Sequence, residues 1–155
     1  DGRALFLVAQ GLAQTSVIFG TAWLLYLRPG TVPVAGWLVM AAALALGAAG
    51  LTLAVAALAR TARQAHTAAN VAILIASAVG GSMVPRYLMP PWLQTAGWAS
   101  PNAWVIEGFT AAWRGEGAAQ AMLLPAVVLA GLGLAGWLAA RRLTTAWDVL
   151  RNHSS

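Results

Sequence analysis

Four long uncharged stretches divide the chain, at residues 4–27, 31–59, 67–85 and 117–140. A bilayer hydrocarbon core of about 30 Å is crossed by about 20 helical residues at about 1.5 Å each. All four stretches approach or exceed that length. In addition, 60% of the chain is hydrophobic and only 8% is charged, whereas a soluble domain carries about 25% charged residues. We therefore predict an all-α membrane protein with four transmembrane helices. The predicted spans are about residues 4–27, 33–59, 67–84 and 118–140.

The basic residues predict the orientation of these spans. All nine are Arg, and they flank the apolar stretches without forming a run, which is typical of topology signals and does not indicate nucleic-acid binding. If the stretches alternate in direction, six Arg lie on one side, and the positive-inside rule makes that side cytoplasmic. These six are Arg3, Arg60, Arg63, Arg141, Arg142 and Arg151. Both ends of the chain, including a tail over 141–155, are then predicted to be cytoplasmic, in a single transmembrane domain covering 1–155.

The connection between the third and fourth stretches is apolar, but Pro90, Pro91 and Pro101 interrupt it. Proline suits the first turn of a helix, and Ser100 is a suitable N-cap before Pro101. We expect two short helices, near 91–99 and 101–113, forming an external re-entrant or interfacial hairpin over about 86–114. Because backbone that does not span is tolerated at membrane depth only against protein or water, a vestibule or gate is expected nearby.

Polar residues recur at helical spacing on the first and third predicted spans. Gln10 and Gln14 lie on one face of the first, and Asn70 and Ser77 lie on one face of the third. Such residues form hydrogen bonds between helices, or they line a substrate path. Both interpretations stay open.

Glu107 is a carboxylate among Trp104, Val105, Ile106 and Phe109. An ionisable group in such surroundings is costly unless it is paired or hydrated. It either faces external water, pairs with Arg86 or Arg114, or takes part in gating or substrate contact.

Two further patterns have structural interpretations. Residues 131–136 spell the dinucleotide fingerprint GxGxxG, but no strand precedes them and they lie inside an uncharged span. We interpret these glycines, and the small pairs Ala43/Gly47 and Gly50/Ala54, as sites of close helix approach. His66 and His153 have no second ligand at metal-binding spacing. The sequence therefore predicts no catalytic, cofactor-binding or metal-binding residue, and it contains no phosphate-binding loop for ATP hydrolysis.

The segments GGSMVP (80–85), LMPPWL (88–93), SPNAW (100–104) and EGF (107–109) resemble the type-2 exporter permeases of ATP-binding-cassette transporters. In that family a helix ending in a Gly-Pro segment leads into a short external helical hairpin before the last span. The resemblance implies a six-span permease, of which this chain is expected to be the C-terminal part. It also implies a plasma-membrane exporter in which two permeases, identical or different, pair around a central path within membrane lipid. ATP and Mg²⁺ would bind a separate cytoplasmic ATP-binding subunit, not this chain.

The resemblance also assigns expected roles to residues. The translocation path would include Gln10, Gln14, Asn70 and Ser77. The outer gate would include Gly80, Gly81, Pro85, Pro90, Pro91, Trp92, Pro101 and Glu107. The loop facing the ATPase would include Arg60, Arg63 and His66.

Two other classes of function are weighed against an exporter. One is a polytopic scaffold or pore that works without ATP, since small-residue helices suit it equally well. The other is a membrane-embedded enzyme that modifies lipid. Its candidate acids would be Glu107 and Glu116, whose spacing gives no specific acid/base geometry.

Overall fold

The computed structural model describes residues 2–26, 34–114 and 118–152. Within these ranges the secondary structure is helical, without strands, so the predicted all-α class is confirmed there. The helices are α1 (Gly2–Tyr26), α2 (Val34–Leu58), α3 (Ala62–Gly80), α4 (Pro91–Ala96), α5 (Pro101–Arg114) and α6 (Ala118–Asn152). Short 3₁₀ turns at Arg86–Leu88 and Gly97–Ala99 flank α4.

Two of the described helices are long and apolar enough to cross a membrane, judged by length and composition. They are Ala35–Leu58, with a mean hydropathy of 2.2, and Gln120–Thr144, with 2.0. A shorter apolar helical segment, Leu5–Ile18, lies within α1. Spans at α1 and α3 stay predictions, as does a re-entrant position for the hairpin.

The turn between α2 and α3 is shorter than the loop predicted over 60–66. Thr61 is the N-cap of α3, and its side chain accepts a hydrogen bond from the backbone N–H of Gln64 at 3.2 Å. The Gln64 side chain in turn accepts from the backbone N–H of Arg60 at 3.1 Å. These two bonds around the N-cap start the helix at Ala62, so Arg63 and His66 lie on α3.

Two other boundaries also differ from the sequence prediction. Gly81 has a φ of 94° and ends α3 at Gly80, before the predicted limit at 84, because left-handed backbone stops a helix and suits glycine. At the other end of the chain, α6 continues to Asn152, so most of the tail predicted over 141–155 is helical. Residues 153–155 lie outside the described ranges.

Helices α2 and α6 run parallel to each other, and glycines allow their backbones to approach closely. A Cβ on Gly47 would lie 3.0 Å from the carbonyl oxygen of Leu129, and a Cβ on Gly136 would lie 2.5 Å from that of Gly50. Gly133 likewise faces the backbone at Leu46. The helix-contact interpretation of the GxGxxG pattern is therefore confirmed at Gly133 and Gly136. Gly131 is different, because a Cβ there would meet nothing within 4 Å.

The main core lies where α5 packs against both α2 and α6. Its buried members are Met40, Ala43, Ala111, Ala112, Met122 and Leu129, with the Trp37, Trp104, Val105, Phe109 and Ala126 side chains packed around them. Gly108 makes room for the Met40 side chain, and the Trp37 and Phe109 rings meet edge to face at 6.1 Å. The second helix of the hairpin is thus part of the bundle interior and is not a surface flap.

Candidate gate at the junction of α3 and the helical hairpin

The last turn of α3 lies directly against the start of α5. A Cβ on Gly80 would lie 2.6 Å from the Ser100 Oγ and 2.7 Å from the Asn102 Cβ, so only glycine allows this approach. The following residue, Gly81, supplies the left-handed backbone that turns the chain, and its N–H bonds to the Ser77 carbonyl. The two glycines predicted for the gate therefore serve two different purposes.

Four polar side chains join α3 to α5. Asn102 Nδ2 donates to the Ser77 Oγ at 3.1 Å and to the Ser82 Oγ at 3.0 Å. Ser100 Oγ donates to the Ala76 carbonyl at 2.8 Å and accepts from the backbone N–H of Asn102 at 3.2 Å. Ser100 is therefore the N-cap of α5, as predicted, and its side chain also forms a hydrogen bond to α3. We call Ser77, Ser82, Ser100 and Asn102 the α3–α5 junction.

A second group of contacts stiffens the hairpin from within. Arg86 Nη2 donates to the Gln94 carbonyl at 2.7 Å, and its Cζ lies 4.0 Å from the Trp98 ring centroid. The Trp98 and Trp104 rings are 4.6 Å apart, and Trp104 Nε1 donates to the Trp98 carbonyl at 2.8 Å. Gln94 Nε2 donates to the Met89 carbonyl at 2.8 Å. The turn around Arg86–Leu88, α4 and the start of α5 thus form one connected unit.

The prolines occupy the starts of the helical turns. Pro85 precedes the Arg86–Leu88 turn, Pro90 is the N-cap position of α4, and Pro91 is its first residue. Pro101 is the first residue of α5. Each fixes φ near −65° where no helical N–H bond is lost. Trp92 points away from this framework and is 70% exposed.

Glu107 is half-buried on α5. Ala103 and Ala111, four residues to either side of it, are 0% and 2% exposed. Glu107 thus lies beside the packed face of α5 and keeps part of its own surface accessible. Arg86 is occupied within the hairpin, and among the described side chains no ion pair joins Glu107 to Arg86 or Arg114. The pairing considered from the sequence is not formed there, which leaves hydration, a gating role or substrate contact.

The predicted path residues do not share one surface in a single chain. Gln10 and Gln14 are exposed on α1, which packs along α2. Asn70 is exposed on α3, which contacts α2, α4 and α5. Ser77 belongs to the α3–α5 junction. Arg60, Arg63 and His66 are exposed around the turn between α2 and α3.

Asn102, Ser82 and Gln94 were not assigned roles from the sequence, and Arg86 was considered as a partner of Glu107. Their signal was polarity within an otherwise apolar connection, because a polar group away from water needs a hydrogen-bond partner. What the sequence could not supply was the identity of those partners.

The comparisons with known proteins point to one family. A family model described as ABC-2 type transporter matches residues 2–113. No curated protein and no solved structure matches the chain. The matched range contains the whole α3–α5 junction and nearly all of α5.

Proposed function

The chain belongs to the ABC-2 type transporter family, whose membrane domain is a transport permease, and we propose that it is the permease subunit of an ATP-driven exporter. Its partners are a cytoplasmic ATP-binding subunit, which binds ATP and Mg²⁺, and a second permease copy. Helices α1, α2, α3 and α6 span the plasma membrane. The Arg-rich end lies in the cytoplasm, and the exposed residues Arg60, Arg63 and His66 face the ATPase.

We further propose that the hairpin is the outer gate and that it opens between two paired permeases. The observation that carries this proposal is that the hairpin is held from both sides. Its helix α5 packs against both α2 and α6, and the α3–α5 junction connects its start to α3. Swinging the hairpin within one permease would uncover buried apolar surface and break these hydrogen bonds, each of which is worth about 1 kcal/mol. Movement of the whole outer end of one permease against the partner copy would keep this apolar surface buried and these hydrogen bonds intact.

Glu107 contributes polarity to the outer exit. A half-buried carboxylate without a cationic partner is expensive at membrane depth unless water or substrate reaches it. The face of α5 that carries Glu107 therefore borders a hydrated space in the assembled transporter. Asn70 on α3, and Gln10 and Gln14 on α1, extend the polar surface toward the cytoplasmic end when two copies pair.

Purification with an affinity tag on the intact permease tests the exporter assignment. We expect an ATP-binding subunit to co-purify and to hydrolyse ATP faster with the permease in a bilayer than alone. Substituting Arg60 and Arg63 with Ala should weaken this association, because both are exposed at the proposed docking turn. A permease that purifies without an ATPase, or that leaves ATP hydrolysis unchanged, would favour the ATP-independent scaffold or pore.

The role of Glu107 is tested by Glu107→Gln, which keeps the side-chain volume and removes the charge. We expect the reconstituted complex to turn over ATP more slowly while its thermal stability stays the same. Val127→Ala, at an exposed position of α6 outside the hairpin, is the control and should leave turnover unchanged. Wild-type turnover in Glu107→Gln would remove Glu107 from the exit.

A further inference from the structure

Asn70 lies near the middle of α3 and is exposed in the single chain. Among the residues that the structure describes, none forms a hydrogen bond with its side chain. Helix α3 is 19 residues long, which is about 28 Å at about 1.5 Å per residue and about the thickness of the hydrocarbon core. In the proposed function α3 spans the membrane, so Asn70 lies near the bilayer centre. A carboxamide at that depth is costly without a partner.

The residues beside Asn70 favour a protein partner over water. The next five residues, 71–75, are all apolar and exposed, so water drawn to Asn70 would also wet apolar side chains within one turn. A single Asn in an apolar helix is typical of helix pairs, because its side chain bonds to the neighbouring helix and fixes the register of the two. The pattern therefore indicates a second helix packed against α3 at this position.

Asn70 lies to one side of the face through which α3 packs on its own bundle. Ala65, Ala69 and Ala76 are partly buried, so they mark that face, while the residues between them are exposed. At 3.6 residues per turn, Asn70 lies about a third of a turn round the helix from this face. The side chain is therefore available to a helix that does not belong to the same bundle.

We propose that α3 pairs with α3 of a second copy of this chain through Thr67, Asn70 and Leu74, which we call the α3 seam. These residues are all exposed, and their spacings of three and four residues keep them within about 60° of one another on the helix. Two identical copies inserted in the same direction are related by a two-fold axis along the membrane normal, so their α3 helices run parallel and Asn70 faces its own counterpart. A carboxamide both donates and accepts, so the two Asn70 side chains bond to each other. The inference rests on the proposed pairing of two permeases and names the contact between them.

Cysteine cross-linking in vesicles tests the α3 seam. The printed sequence has no Cys, so Leu74→Cys can be introduced alone into an otherwise Cys-free intact permease and oxidised. We expect a disulfide-linked dimer, because Leu74 faces its counterpart across the axis. Ile75→Cys is the matched control, since Ile75 is 60% exposed and Leu74 is 56% exposed, but Ile75 lies outside the seam and should give no cross-link. Equal cross-linking of the two variants would overturn the seam, as would a paired permease without a cross-link at Leu74→Cys.

The Asn70 bond is tested by dimerisation, measured as energy transfer between donor-labelled and acceptor-labelled copies at increasing lipid dilution. Asn70→Leu should weaken dimerisation by roughly tenfold, the loss expected for a hydrogen bond between membrane helices. Asn70→Gln keeps the carboxamide and should retain most of the affinity. Wild-type affinity in Asn70→Leu would overturn the Asn70 pair. A wild-type permease that stays monomeric would instead contradict the proposed pairing itself, and ATPase co-purification tests the exporter assignment separately.

Discussion

Gly133 faces the backbone of α2 at Leu46, and Gly131, two residues earlier on the same helix, faces open space. Both residues are glycines of the same helix and the same sequence motif. They therefore differ mainly in the atoms that an added Cβ would contact. At the scale of single residues, the absence of a Cβ at Gly133 sets how closely α2 and α6 can pack.

Gly133→Ala should destabilise the permease, because its Cβ would overlap the Leu46 carbonyl and force the helices apart at a cost of about 1–3 kcal/mol. We expect a lower Tm in a thermal unfolding assay of the purified protein. Gly131→Ala is the matched control and should keep or raise the Tm, since Ala is favoured over Gly in a helix by about 1 kcal/mol. Equal losses of Tm in the two variants would contradict the contact.

The ends of individual helices were predictable where the residues that set them lie within one turn of the helix end. Pro91, Pro101 and Ser100 each act within one turn of themselves, so the starts of α4 and α5 follow from the sequence. The start of α3 was also encoded locally, in the Thr61–Gln64 cap, but the charged residues around it were interpreted as a loop. The partners of Asn102 could not be predicted, because Ser77 is 25 residues away and the contact depends on how α3 and α5 pack.

At the scale of elements, Asn102 couples two helices that are distant in sequence. Asn102→Ala removes both donations to Ser77 and Ser82. It leaves the partly buried Ser77 hydroxyl without its donor, at a cost of about 1–3 kcal/mol. We expect faster backbone hydrogen exchange around residues 76–82 and 97–104. Thr95→Ala is the control, because the Thr95 hydroxyl bonds to Pro91 within its own helix. Unchanged exchange in Asn102→Ala would show that the junction does not hold the two helices together.

At the scale of the whole molecule, the described helices form one packed unit around α2, which contacts α1, α3, α5 and α6. The hairpin is built into this unit through α5. Under the proposed function, the outer side therefore opens by movement of two paired permeases against each other. The helical composition was predictable because hydropathy and length depend only on the sequence. The packing of α5 against both α2 and α6 was not, because short amphipathic helices can lie on a bundle as readily as within it.

Pulsed electron spin resonance distances test this account most directly. The printed sequence has no Cys, so nitroxides can be attached at introduced cysteines on exposed positions of the assembled transporter. One sample carries labels at Ala72 on α3 and Thr95 on α4 of a single copy, both exposed in the single chain, and another carries Thr95 labels on both copies. Between nucleotide-free and ATP-trapped states, we predict an unchanged Ala72–Thr95 distance and a shifted Thr95–Thr95 distance. A change in the Ala72–Thr95 distance, with a constant distance between the copies, would contradict an outer gate fixed to its own bundle.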